Sequence, residues 1–167
     1  LQRAAPVVAA PVEVAEAPEA TAVVDVVEAA GTPANFDEVL REILEAEVDT
    51  HQATLRAWLR EASVAPQPVT DILLRAVHTM NGAFAMTDVP EITAVTGGAE
   101  SFIKRSLAAD TAPDADGVDA LSATADAITA TMTALQADAP RIPVQAALAA
   151  RLQALADTLP EARWPAL

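Results

Sequence analysis

The stretch LLRAVHTMNGAFAM, residues 73–86, decides the fold, because its apolar side chains recur at the three- and four-residue spacing of one helix face. The inward stripe starts just before this stretch and consists of Val69, Leu73, Val77, Met80 and Phe84. His78 is turned about 100° away from the centre of the stripe. We therefore predict an amphipathic helix from about Val69 to Met86 that carries a histidine on its outer face.

The segment before this helix shows the same periodicity. Asn35 stands in the position of an N-cap, and Glu38 follows three residues later, as in a capping box. The apolar residues that recur at helical spacing are Phe36, Leu40, Ile43, Leu44, Val48, Leu55, Trp58 and Leu59. We predict a helix from Asn35 to about Glu61, ended by the stretch APQP.

Three more helices are predicted after residue 86. We expect Asp88 to cap the third helix, which has Pro90 in its first turn and ends near Ala109. The fourth follows a loop at residues 110–117, and its stripe is Val118, Leu121, Ala125, Ile128, Met132 and Leu135. The fifth has one apolar face, formed by Val144, Leu148, Leu152, Leu155 and Leu159.

Long amphipathic helices with short connections are typical of an antiparallel up-down bundle, and no segment has the pattern of a strand. The predicted fold class is therefore all-α. A four-helix bundle occupies residues 35–138, and an additional C-terminal helix at 141–160 packs outside it or leads to a next module. The predicted core is Leu44, Val48, Leu55, Leu73, Val77, Met80, Phe84, Val95, Phe102, Leu121, Ile128 and Leu135.

Residues 1–34 are rich in Ala, Val, Pro and Glu and show little periodicity. Pro6, Pro11 and Pro18 interrupt regular helix and favour extended backbone. We predict a semi-rigid linker that contributes little to the core. Since linkers join domains, we expect this domain to belong to a longer, multi-domain protein.

Charge and composition exclude several classes of function. The 167 residues carry a formal net charge of −14 at pH 7, whereas binding of nucleic acid or an anionic membrane surface needs clustered Lys and Arg. No apolar run approaches the roughly 18 residues that span a bilayer, and the first residues lack the pattern of a signal peptide. There is no cysteine, which excludes disulfides and thiolate chemistry. We expect a cytoplasmic domain with no nucleic-acid or membrane partner.

Two other features have simple structural explanations. PDADGV, residues 113–118, looks like part of a calcium loop, but alanine occupies the first and last ligand positions, so a helix-start turn is the better interpretation. His51, between Val48 and Leu55, borders a buried stripe and is expected to be a hydrogen-bonded histidine at a helix edge. The short motifs of nucleotide-binding loops, zinc proteases and serine hydrolases are absent.

His78 has two neighbours on the outer face of its helix, Arg75 three residues before it and Gly82 four residues after it. A glycine in mid-helix costs roughly 1 kcal/mol relative to alanine. Gly82 therefore either leaves room beside the imidazole for a phosphoryl group and an approaching partner, or permits close helix packing. Spacing alone leaves both interpretations open.

The segment RAVHTMNGAFAM, residues 75–86, resembles the signature of histidine phosphotransfer (Hpt) domains, R-x-x-H-[S/T]-x-K-G. Arg75, His78, Thr79 and Gly82 match this signature, while Asn81 stands where the family has lysine. The resemblance covers about residues 36–138. It implies a four-helix bundle whose histidine carries a phosphoryl group.

Within that family, the chain is similar to the phosphotransfer modules of chemotaxis-type histidine kinases. In those modules a glutamate 22 residues after the histidine, on the next helix, hydrogen-bonds the imidazole, and this position is Glu100 here. Gly97 stands where such kinases often carry a second histidine. The variant HTMNGA and the Ala/Pro-rich linker also resemble multi-module kinases of chemosensory systems that control type IV pili and twitching motility.

The resemblance implies a phosphorelay in which His78 receives a phosphoryl group from a histidine kinase domain and passes it to the aspartate of a response-regulator receiver domain. Glu100 would accept from Nδ1–H and so present Nε2 as the nucleophile. A surface pair with Lys104 is the alternative for Glu100. The module, monomeric within a larger protein, would hold no cofactor or metal, because the partner domains supply ATP and Mg²⁺. It would not be a stand-alone enzyme.

Asn81 is the departure with the largest expected effect. A lysine at this position could attract the incoming phosphoryl oxygens, whereas asparagine can donate only a neutral hydrogen bond. We therefore expect phosphoryl transfer to be slower by about tenfold but not abolished. The alternative is a degenerate Hpt-like docking or scaffolding module without efficient phosphotransfer.

Overall fold

The computed structural model describes residues 31–162. The elements within them follow in the order β1 (Thr32–Pro33), α1 (Glu38–Ala62), α2 (Asp71–Met86), α3 (Pro90–Ala108), α4 (Ala115–Leu135), β2 (Arg141–Ile142) and α5 (Ala146–Asp157). The all-α fold class is confirmed, since the two strands have only two residues each. None of these helices is both long and apolar enough to cross a membrane.

The first four helices form a ring around a common interior. α1 packs against α2 and α4, and α3 also packs against α2 and α4, as in an up-down bundle. All twelve predicted core residues are buried. The stripes read from the sequence are therefore the faces that meet in the bundle interior.

Two helix starts are fixed by a side-chain cap. Thr70 Oγ1 accepts from the backbone N–H of Leu73 at 3.1 Å, and Asp114 Oδ1 accepts from that of Gly117 at 2.9 Å. Because Thr70 is the cap, α2 begins slightly later than predicted. The PDADGV turn is the start of α4, as the sequence indicated.

Two predicted caps are wrong. The cap of α1 is Asp37 instead of Asn35, and its side chain makes no capping hydrogen bond. Asp88 has a φ of 58°, in the left-handed region, and lies at the end of α2, where the N–H of Val89 donates back to the helix. Aspartate adopts this conformation more readily than most residues, so the residue type that starts many helices ends one here. α3 begins only afterwards, with Pro90 at its first position.

α5 packs on the outside of the bundle, against α3 and α4. Gly98 permits its close approach, since a Cβ there would lie 3.1 Å from the Cβ of the fully buried Leu152. Near the end of α5, Arg105 donates from Nη1 to the carbonyl oxygen of Ala156 at 3.0 Å. α5 thus braces α3, the helix that carries Glu100.

The prediction that no segment forms a strand is wrong at one place. β1 pairs with β2 in antiparallel fashion, with Thr32 opposite Ile142, and the N–H of Ala34 donates to the carbonyl oxygen of Pro140 at 2.9 Å. Prolines keep the connection between α4 and α5 out of helix, so its extended backbone can pair. The end of the predicted linker therefore pairs with the domain, and the remainder, residues 1–30, lies outside the described residues.

Candidate functional site

The histidine on α2 lies on the outer surface of the bundle. The His78 side chain is 69% exposed, whereas the neighbouring Val77 and Met80 are completely buried. This difference follows from the 100° step between successive helical residues, which turns position 78 away from the core. The imidazole is therefore accessible to another protein.

Glu100 lies opposite His78, on the adjacent helix α3. Its Oε1 is 2.6 Å from Nδ1 of His78, and its side chain is only 23% exposed. An ionised carboxylate can only accept hydrogen bonds, so the hydrogen in this contact belongs to Nδ1. Whenever the imidazole is neutral, this arrangement leaves its lone pair on Nε2.

The second oxygen of Glu100 also contacts α2, since Oε2 accepts from Asn81 Nδ2 at 3.3 Å. Both oxygens of Glu100 therefore contact side chains of α2, and a surface pair with Lys104 alone does not account for the position of the carboxylate. Lys104 and Arg75 instead help to line a concave region of about 330 Å³ beside His78 and Glu100. The site thus combines a carboxylate behind the imidazole with a concavity that two basic residues and Asp71 also line.

Asn81 is held in turn by Thr96, a residue that the sequence analysis missed. Thr96 Oγ1 is 2.7 Å from Asn81 Oδ1 and 3.2 Å from the carbonyl oxygen of Ile92, and Thr96 is 0% exposed. The signal that could have found it is a polar residue beside the apolar stripe of α3. It stands four residues before Glu100, and therefore on the same helix face.

The remaining motif residues are placed as follows. Thr79 donates from Oγ1 to the carbonyl oxygen of Arg75 at 2.8 Å, so its hydroxyl is engaged within α2. A Cβ added at Gly82 would meet no atom of the described residues within 4 Å. Close helix packing therefore does not require glycine at this position, and the space that it leaves lies beside His78. The functional roles of these residues stay predictions.

An apolar groove opens next to Gly82, between the first turns of α1 and the last turns of α2. Its volume is about 490 Å³, and its lining includes His78, Leu40, Ile43 and Met86. Ile43 is 63% and Met86 89% exposed. The sequence placed Leu40 and Ile43 in the α1 stripe, but α2 ends at Met86, and they remain exposed within residues 31–162.

The other histidine has the structural role expected from its position. His51 Nε2 lies 3.2 Å from Glu47 Oε1, one helical turn away on α1. Among the described residues, no three His, Cys, Asp or Glu side chains are grouped so that they could hold a metal ion. In this part of the chain, His78 and Glu100 therefore have no third side chain beside them that could complete a metal site.

Comparison with protein families identifies a domain over most of the described chain. The family model described as "Hpt domain" matches residues 39–162, a range that includes α5. No curated protein and no solved structure matches the chain. The matched range contains His78, Asn81, Thr96 and Glu100.

Proposed function

The chain belongs to the Hpt domain family, whose function is histidine phosphotransfer in two-component signalling, and from this premise we propose that it is a phosphorelay module that carries its phosphoryl group on His78. It receives the group from a histidine kinase domain and passes it to a receiver-domain aspartate in a chemosensory system. The observation that carries the proposal is the exposed imidazole whose Nδ1 lies 2.6 Å from Glu100.

The geometry supports a two-step transfer. In the first step, Nε2 attacks the γ-phosphorus of ATP held by the kinase domain; the N–P bond forms, the bond to the bridging oxygen breaks and ADP leaves. In the second, an aspartate oxygen of the receiver attacks the same phosphorus, and the electron pair of the N–P bond returns to Nε2. His78 keeps its Nδ1 proton throughout, and the Glu100 carboxylate stabilises the positive charge that develops on the ring. ATP and Mg²⁺ belong to the partner domains.

The surface around His78 supports docking of these partners. The apolar groove lined by Leu40, Ile43 and Met86 borders the imidazole on one side. Arg75 and Lys104 line the concavity on the other side together with Asp71 and Glu100, so two basic side chains stand near an approaching phosphoryl group although the charges of the lining balance. A partner domain can therefore bury apolar surface while the reacting phosphorus reaches Nε2.

The chemosensory setting rests on the resemblance of HTMNGA and the Ala/Pro-rich linker to kinases that control type IV pili and twitching motility. In this proposal the domain is a cytoplasmic part of a larger protein. One observation favours a second candidate: Asn81 replaces the lysine of the family signature. In that candidate, the bundle docks partners without efficient phosphotransfer.

A two-stage transfer assay separates the two candidates. The chain is first incubated with a histidine kinase domain, ATP and Mg²⁺, then freed of nucleotide and mixed with receiver domains from a pilus chemosensory system and from an unrelated system. The proposal predicts acid-labile label on the chain that moves preferentially to the chemosensory receiver. Binding of the receiver without any labelling would support the scaffold instead, and equal transfer to both receivers would contradict the chemosensory setting.

A further inference from the structure

We propose that Thr96 and Asn81 are positioning residues, and that they hold the Glu100 carboxylate against His78 through a directed chain of hydrogen bonds. The chain runs from the buried hydroxyl of Thr96 to Asn81 Oδ1, from Asn81 Nδ2 to Glu100 Oε2, and across the carboxylate to His78 Nδ1. Neither residue contacts the reacting nitrogen Nε2 in this arrangement. Their effect on chemistry passes through Glu100.

The acceptor character of Glu100 fixes the direction of this chain. If the Asn81 amide were flipped, its Oδ1 would face Glu100 Oε2, and two acceptors would oppose each other with no hydrogen between them. With the amide as it stands, every contact has one donor and one acceptor. The single hydroxyl hydrogen of Thr96 has two acceptors within reach, and the shorter contact, 2.7 Å to Asn81 Oδ1 against 3.2 Å to the carbonyl oxygen of Ile92, favours donation to Asn81.

Because Thr96 is buried, it anchors the far end of this chain of hydrogen bonds. Thr96 is 0% exposed, and its side chain is attached to the same helix face as Glu100, one turn earlier. Its short contact of 2.7 Å with Asn81 keeps the amide from rotating, and acceptance at Oδ1 polarises the amide so that Nδ2 is a better donor. Asn81 therefore links α2 to α3 at the level of the site.

The consequence concerns the imidazole tautomer. With Oε2 engaged by Asn81, the carboxylate keeps Oε1 directed at Nδ1 of a side chain that is otherwise mostly exposed. The proton then stays on Nδ1, and Nε2 remains the nucleophile. The significance of this for transfer rests on the proposed function, but the tautomer itself can be measured without any kinase.

The experiment compares the natural chain with Thr96→Val, Thr96→Ser and Asn81→Leu. Thr96→Val has nearly the same shape but no hydroxyl, Thr96→Ser restores the hydroxyl, and Asn81→Leu removes the amide. Thr124→Val is the matched control, because Thr124 is also 0% exposed and its hydroxyl donates only to the backbone of its own helix α4. Imidazole ¹⁵N shifts, measured where His78 is neutral, give the ratio of the Nδ1–H to the Nε2–H form.

We expect this ratio to fall by about three- to tenfold in Thr96→Val and Asn81→Leu, as for the loss of one neutral hydrogen bond. In Thr96→Ser the ratio should stay close to that of the natural chain, and in Thr124→Val it should be unchanged. An unchanged ratio in Asn81→Leu, or the same fall in Thr124→Val, would overturn the proposal. If Thr96→Val does not fold, Asn81→Leu and Thr96→Ser still decide. A changed ratio in a chain that no kinase labels would leave the positioning role standing and reject the proposed function.

Discussion

At His78, exposure and fixed orientation occur together, although they usually exclude each other. A side chain that is 69% exposed is normally free to change rotamer, but a 2.6 Å contact to a largely covered carboxylate holds this ring. A nucleophile that must meet active sites on other proteins needs both properties, because it has to be reachable and has to present one defined nitrogen. This contact is therefore where changes should affect transfer most while affecting folding least.

Glu100→Ala should slow phosphoryl gain by about ten- to a hundredfold, because it removes a hydrogen bond to a group that becomes charged during transfer. The thermal midpoint should change little, since neither member of the pair belongs to the buried core of the bundle. The measurement is the initial labelling rate with one kinase, beside a melting curve. Asp126→Ala is the control, as it removes a carboxylate that pairs with Arg56 between α1 and α4. Equal labelling of Glu100→Ala and the natural chain would refute the role of Glu100.

Asn81→Lys should accelerate labelling, by up to about tenfold. A lysine can replace the donation to Glu100 and adds a charge near the incoming phosphoryl oxygens; at about 4 Å two unit charges interact by roughly 1 kcal/mol in water and more near a protein surface. Salt screening and the entropy of fixing the side chain reduce the gain. Initial rates at fixed salt test this. A slower Asn81→Lys would mean that the amide positions Glu100 better than an ammonium group does.

At the scale of the helices, the sequence predicted which faces are buried, but it did not predict all of the positions where the helices begin and end. Stripes are set by packing between whole faces, which is why residues as distant as Leu44 and Leu135 were assigned to one core correctly. An end depends on a few local hydrogen bonds, and Asp88 is compatible both with starting α3 and with ending α2. Leu40 belongs to a helical stripe, but its exposure depends on where α2 stops, which its own spacing does not encode.

The site divides in the same way. The resemblance to Hpt domains predicted the contact between His78 and Glu100, because their motif and spacing belong to a recurrent pattern, and the two side chains are in contact. Thr96 was missed, because a threonine can satisfy its hydroxyl on its own helix, as Thr131 does on α4. Its contact with Asn81 depends on the distance between two helices, which no single-helix pattern contains.

Gly82→Ala should stabilise the bundle and slow transfer. A Cβ at this position meets no atom of residues 31–162 within 4 Å, so the variant gains helix propensity of about 1 kcal/mol without a clash among them. The same methyl group occupies space that a partner needs beside His78. A higher thermal midpoint with a lower transfer rate is expected. A higher thermal midpoint with an unchanged transfer rate would contradict a steric role for position 82.

At the scale of the whole molecule, the bundle acts as a rigid support for two side chains on adjacent helices. α2 and α3 share the buried core, and α5 braces α3 from outside at Gly98. The separation of the α2 and α3 backbones at the site therefore depends on packing in the core and against α5. The predicted linker differs, because its last residues pair with β2 while its remaining length was predicted to add little to the core.

Removal of residues 1–30 should leave the thermal midpoint almost unchanged. Removal of residues 1–34 should lower it, because this deletion also removes β1 and the hydrogen bond from Ala34 to Pro140. Melting curves of the two truncated chains and the full chain make the comparison. A large loss on removal of 1–30 alone would mean that this segment packs against the domain.

The central claim, that His78 is the phosphoryl acceptor, is tested most directly by mapping the modified residue. The full chain and His78→Gln are incubated with a histidine kinase domain, ATP and Mg²⁺, beside an Hpt domain that this kinase is known to phosphorylate. We predict acid-labile phosphate on His78 alone, and a folded His78→Gln that takes up none. Acid-labile phosphate that persists in His78→Gln, or no label on the natural chain while the reference domain is phosphorylated, would contradict the account.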